Sequence, residues 1–96
     1  MGVKERDPKN LGVLMIDFSP VVREGLQAIL SKDKRIEVIG DVPDGLEALR
    51  HIKQAGDRGR PVNVVLTETR NGKVDGVQAT RLVKDEFPEV AVIVLM

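Results

Sequence analysis

A chain of 96 residues can build one small domain with a modest core. Hydrophobic residues at 42% and charged residues at 31% are ordinary globular values and argue against wholesale disorder. Fifteen basic and fifteen acidic side chains cancel, which speaks against a nucleic-acid surface; the absence of cysteine removes disulfides and thiolate metal sites and fits a reducing compartment.

The start, "MGVKERDPKN", is polar and mixed in charge, and residues 1–10 are expected to be a disordered tail. Gly2 follows the initiator Met, but Arg6 holds the Ser/Thr position of the myristoylation pattern. No apolar stretch approaches the roughly 20 residues of a membrane span, so a cytoplasmic domain without membrane contact is expected.

"LGVLMID" (11–17) is a short apolar run ending in an acid, a strand. In "SPVVREGLQAILSKD", Ser19 is placed to cap a helix with Pro20 at its first position, and Val22, Leu26, Ile29 and Leu30 share one face. "RIEVIGD" (35–41) alternates as a second strand. "DGLEALRHIKQAG" begins a second helix with Asp44, and Glu47 three residues on makes a capping-box-like start. Leu46, Leu49 and Ile52 are expected to face inward, and Gly56 with "GDRGRP" to stop the helix. "VNVVLTE" (62–68) is a third strand. "DGVQATRLVKDEF" starts a third helix at Asp75, with Val77, Thr80, Val83 and Phe87 along one face and Pro88 ending it. "VAVIVLM" (90–96) is a nearly all-apolar fourth strand.

This alternation points to a parallel α/β sheet with right-handed crossovers, in which the third and fourth strands look covered on both faces. Ligands of such sheets sit beyond the carboxyl ends of the strands where strand order reverses. If the first strand lies between the second and third, "IDFSP" and "TETRNG" line that crevice, with Asp17 and Glu68 side by side.

Other candidates for chemistry weigh little. His51, the one histidine, lies in a charged helical stretch and is expected at the surface. Ser19 has no evident base partner and is a cap, not a nucleophile. "TRNGK" is not a phosphate-loop pattern. Thr67 and Thr69 could take phosphate from a kinase but are more simply structural, and two Phe residues offer no stacking platform for nucleic acid.

The segments "VLMIDFSPVVREGLQAIL", "IEVIGDVPDGLEALRHIK" and "VNVVLTETRNGKVDGVQATRLVKDEFPEVAVIVLM" together resemble the receiver domain of two-component response regulators, nearest the NarL/LuxR type, over residues 11–96. The resemblance implies a flavodoxin-like (CheY-like) doubly wound sheet. Its family order is 2-1-3-4-5, and here it would be 2-1-3-4, without the fifth strand and last helices. It implies a C-terminal helix-turn-helix DNA-binding domain beyond Met96, a sensor histidine kinase as a partner, and homodimerisation or other self-association, with no nucleic-acid contact by this domain itself.

The family's chemistry is altered. Two adjacent acids after the first strand normally join the phosphoacceptor aspartate in holding Mg²⁺. Asp17 matches the first acid, Phe18 stands at the second, and Glu68 occupies the acceptor position. The switch hydroxyl at the end of the fourth strand is Met96, and the loop "RNGKVDG" lacks the usual proline. The expectation is an atypical, pseudo-receiver domain with no catalytic residue, Glu68 unphosphorylated, and Mg²⁺ weakly held at Asp17 or not at all. Glu68 is either a standing negative charge that mimics phosphorylation or a drifted position. The alternative, a small flavodoxin-like ligand-binding domain or enzyme, would want a Ser/Thr/Gly-rich first loop, where this chain has a Phe and a Pro. The fourth strand, with no fifth beside it, is an apolar edge and a template for association.

Overall fold

The computed structural model describes residues 10–68 and 75–95. The tail at 1–9, the loop at 69–74 with Thr69, and Met96 at the switch position lie outside the described residues. The elements run β1 (Leu11–Ile16), α1 (Pro20–Leu30), β2 (Ile36–Val42), α2 (Gly45–Asp57), β3 (Val64–Glu68), α3 (Asp75–Glu86) and β4 (Ala91–Leu95). All pairings are parallel, in the order β2-β1-β3-β4. This is the CheY-like receiver arrangement read from the sequence.

β1 is the axis of the packing because both of its faces are covered. Val13 and Met15 join Phe18 and Leu66 in one apolar cluster, against Leu26 and Leu30 of α1. Leu14 and Ile16 join the second cluster with Val65, Ala48, Ile52, Ala79 and Val83 from β3, α2 and α3. Asn63 locks the entry of the sheet: its side-chain oxygen accepts from the Gly12 amide at 2.7 Å, its own amide donates to the Gly12 carbonyl at 2.8 Å, and its carbonyl accepts from Ala91 at 3.0 Å.

Local chemistry sets the helix ends. Ser19 Oγ accepts from the Val22 amide at 3.4 Å, with Pro20 in the first turn, as the sequence predicts. Asp44 Oδ1 accepts from the Glu47 amide at 2.9 Å, but Glu47 turns to Arg50 at 3.0 Å and does not complete a capping box with Asp44. α2 ends within the expected "GDRGRP" segment, one residue past Gly56. It runs to Asp57 and closes on Gly59, whose φ of 76° is left-handed; the Gly59 amide donates to Gly56 and the Arg60 amide to Ala55, the paired bonds of a Schellman ending.

Several expected inward positions are corrected. Leu46 is 67% and Val77 51% exposed, because α2 and α3 meet through small residues: a Cβ on Gly45 would lie 3.1 Å from the Ala79 Cα. The inward face of α2 is therefore Gly45, Ala48, Ile52 and Ala55. On α1, Ile29 is 62% exposed and no residue is fully buried. His51, expected at the surface, is half-buried over β2, where a Cβ on Gly40 would stand 2.8 Å from its ring. β2 does not alternate cleanly, since the register shifts between Val13 and Leu14, whose partners are Val38 and Gly40. β3 is covered on both faces, as expected, but β4 is not: it is the outer strand among the described residues, with Ile93 47% exposed. α3 packs on one face of β4, whereas α1 lies against β2 at the far side of the sheet.

Ion pairs are peripheral. Arg23 reaches Asp41 at 3.4 Å and Arg60 pairs with Glu37, both along β2, where half-exposed pairs contribute ~0–1 kcal/mol. The Arg35 guanidinium bonded to Asp33 at 2.8 Å lowers that carboxyl from its ordinary 3.8 to about 2.

Three glycine substitutions separate these roles in urea denaturation. Gly45→Ala is expected to destabilise by ~1–3 kcal/mol through overpacking against α3. Gly59→Ala is expected to cost about 1 kcal/mol or more from its left-handed backbone. Gly56→Ala, with open space around it inside α2, is expected to stabilise by roughly 0.4–1 kcal/mol.

Candidate functional site

The register of the sheet builds the site. Ile16 pairs with Thr67, so the next residues, Asp17 and Glu68, leave β1 and β3 as neighbours at the carboxyl end of the sheet. Both line a cleft of about 350 Å³ whose walls are Pro43, Leu46, Ala79 and Leu82, between the start of α2 and the middle of α3. One carboxylate oxygen of Glu68 is fully buried. Thr67 lies beneath it at 2% exposure, closed to a kinase in this conformation.

Asp17 has a φ of 55°, the one left-handed non-glycine among the described residues, while its amide donates to the Val42 carbonyl at 2.8 Å. Aspartate tolerates this region better than most residues, at a cost on the order of 1 kcal/mol. The bend separates the two residues that follow β1. Asp17 lines the cleft, whereas Phe18 is 6% exposed and packs with Val13, Met15 and Leu66 in the apolar cluster under α1.

The sheet thus brings Asp17 and Glu68 together and places Phe18 elsewhere. A Mg²⁺ ion asks for near-octahedral oxygen ligation. Phe18 offers no oxygen and is turned into the core, so these residues do not fit a centre built on three carboxylates. Among the described residues no three His, Asp or Glu side chains are gathered to hold a cation. Pro43, Gln78 and Leu82 also line the cleft and were missed in sequence, because none carries a periodic or catalytic signal. No helix among the described residues is long and apolar enough to cross a membrane.

No protein-family model matches the chain. It is 35% identical over 83 residues to the uncharacterized transcriptional regulatory protein YhcZ of Bacillus subtilis, covering 86% of this chain and 36% of that one. It is 37% identical over 82 residues to a protein-glutamate methylesterase/protein-glutamine glutaminase of Syntrophus aciditrophicus, covering 85% of this chain and 22% of that one. The chain therefore spans about a third or less of these relatives. Among solved structures, the signal receiver domain of the response regulator NarL from Mycobacterium tuberculosis superposes with a TM-score of 0.65 at 30% identity, over 91% of this chain and 64% of that one. The chain is a response-regulator receiver domain, with relatives of the NarL/LuxR type.

Phe18→Ala is expected to lower stability by ~3–5 kcal/mol in chemical denaturation, the cost of emptying a large core position. Phe18→Leu should lose far less. Equal losses would place the ring outside the core.

Proposed function

We propose that this receiver domain signals through protein contacts without aspartyl-type phosphorylation, as a pseudo-receiver. The observation that carries this reading is the position of Phe18: the second acidic position is spent on the apolar cluster under α1, leaving Asp17 and Glu68 as the carboxylates at the strand ends. Phosphoryl transfer depends on positioning and on charge neutralisation by the metal. Glutamate adds a methylene to the acceptor, and displacement of ~1 Å at a reacting atom can cost on the order of a hundredfold in rate. Asp17 then binds Mg²⁺ weakly or not at all, and Met96 replaces the switch hydroxyl.

The output assigned by this reading is transcription regulation through a C-terminal helix-turn-helix domain, in the cytoplasm, with a sensor histidine kinase as the upstream partner and a homodimer as the working state. Support for a DNA-binding output comes from the transcriptional regulatory relative; the methylesterase relative favours a second reading, in which the same receiver governs a catalytic domain. The receiver itself is assigned no catalysis in either case.

Incubation with Mg²⁺ and acetyl phosphate should leave the intact mass unchanged. An acid-labile adduct of one phosphoryl group at Glu68 would overturn the proposal. In a Mg²⁺ titration, Phe18→Asp should bind more tightly than the native chain; coincident curves would show that residue 18 does not face the metal position even as an acid.

A further inference from the structure

β4 is the outer strand among the described residues, and its ladder dictates what it offers outwards. The Ala91 amide donates to the Asn63 carbonyl at 3.0 Å, and β4 runs parallel to β3 from Ala91 to Leu95. Bonding direction alternates along a strand, so Ala91, Ile93 and Leu95 bond to β3 while the N–H and C=O groups of Val92 and Val94 point away from the sheet. Side chains alternate as well. Val92 packs in the α3-side core and Leu95 in the α1-side core, so Ile93, 47% exposed, stands on the α1 side. On the α3 side, Val94 and Val77 flank an apolar cleft of about 380 Å³ bordered by Arg81, Lys84 and Asp85. Lys84 is engaged, donating to the Pro88 and Val90 carbonyls, both at 2.8 Å. The side chains of Arg81 and Asp85, one turn apart, make no ion pair among the described residues.

We propose that β4 is the pairing edge of a homodimer, in which a second copy of this chain adds its own β4 antiparallel across a two-fold axis at Ile93. That axis sets Val92 opposite the partner's Val94, so the outward donors and acceptors exchange bonds as a closely spaced pair. The two Ile93 side chains then meet at the non-bonded position between them. The helices follow. α3 packs on both β3 and β4, and strands ~4.8 Å apart carry the two copies of α3 to about 10 Å, the spacing of packed helices. They run antiparallel. Val94 is flanked by residues 77–85 of α3; one strand residue earlier, a step of ~3.3 Å or about two helix residues, the level of Ile93 falls between Arg81 and Asp85. Arg81 therefore meets the partner's Asp85, and Asp85 meets the partner's Arg81. A face with this order of charges is complementary to itself, as an isologous interface requires, and it singles out a second copy over a wholly acidic or basic partner. The inference rests on the homodimer in the proposed function, whose surface it assigns, and does not depend on whether Glu68 takes phosphate.

Sedimentation velocity over a range of concentrations should show a monomer–dimer equilibrium that stops at the dimer. Arg81→Asp and Asp85→Arg should each weaken the dimer at least ~tenfold, since each places like charges together at both ends of the interface, and the double reversal should restore it. Ile93→Lys should weaken it as strongly. Val21→Lys, on the exposed face of α1, should leave it unchanged. Residues 81, 85 and 93 are exposed, so the variants keep the fold, and recovery in the double reversal separates lost pairing from misfolding. A dimer indifferent to the reversals, not recovered by the double variant, or weakened by Val21→Lys instead would overturn the assigned surface while leaving the homodimer. A monomer at every concentration would overturn both, and growth beyond the dimer would overturn the two-fold pairing.

Discussion

Burial of β1 on both faces is the constraint from which the rest of the domain follows. Leu14 and Met15 are wholly inaccessible to solvent, and Val13 and Ile16 nearly so. Because side chains alternate along a strand, successive residues feed opposite cores, and a slip of one position would exchange the two sets. The register with β3 is therefore tightly held, and with it the juxtaposition of Asp17 and Glu68. The functional end of the sheet inherits its geometry from the packing of these four core residues.

Residue 18 shows what that inheritance costs. The chain leaves β1 through a left-handed Asp17 and reaches Phe18 on the α1 side, where the ring completes a small cluster with Val13, Met15 and Leu66. The aromatic side chain strengthens the thinner of the two cores, since α1 contributes only half-covered residues. An acid at this position would give up that packing for a metal ligand. The two sheet edges differ in a related way. β2 carries Glu37 and Asp41, both ion-paired, and a register shift, all features that discourage pairing with another chain; β4, Ala91–Leu95, carries no charge.

The strand and helix order, both N-caps and the pairing of Asp17 with Glu68 were legible because they rest on signals the sequence displays directly: apolar runs, Ser-Pro and Asp-Gly starts, and strand ends bearing acids. The helix faces were less legible. Leucine and valine dominate a reading of periodicity, yet α2 and α3 approach so closely that Gly45, Ala48 and Ala79 hold the interface while Leu46 and Val77 are pushed outwards. His51 looked solvated among its charged neighbours, but the missing side chain at Gly40 makes room for the ring. The end of α2 was legible as the "GDRGRP" segment but not to the residue: of its two glycines, only the one with positive φ, Gly59, terminates the helix. That Phe18 lies in a core and not beside the cleft could not be read from a pattern, because it follows from one backbone torsion at Asp17.

The central claim is the proposal that residues 18 and 68 together remove the phosphoryl site from a receiver fold. Fluorine NMR of beryllofluoride with Mg²⁺ tests it most directly, comparing the native chain with the Phe18→Asp, Glu68→Asp double variant. The account predicts no protein-bound fluorine resonance for the native chain and a Mg²⁺-dependent one for the folded double variant. A bound resonance on the native chain, at stoichiometric occupancy and lost on adding a chelator, would contradict it.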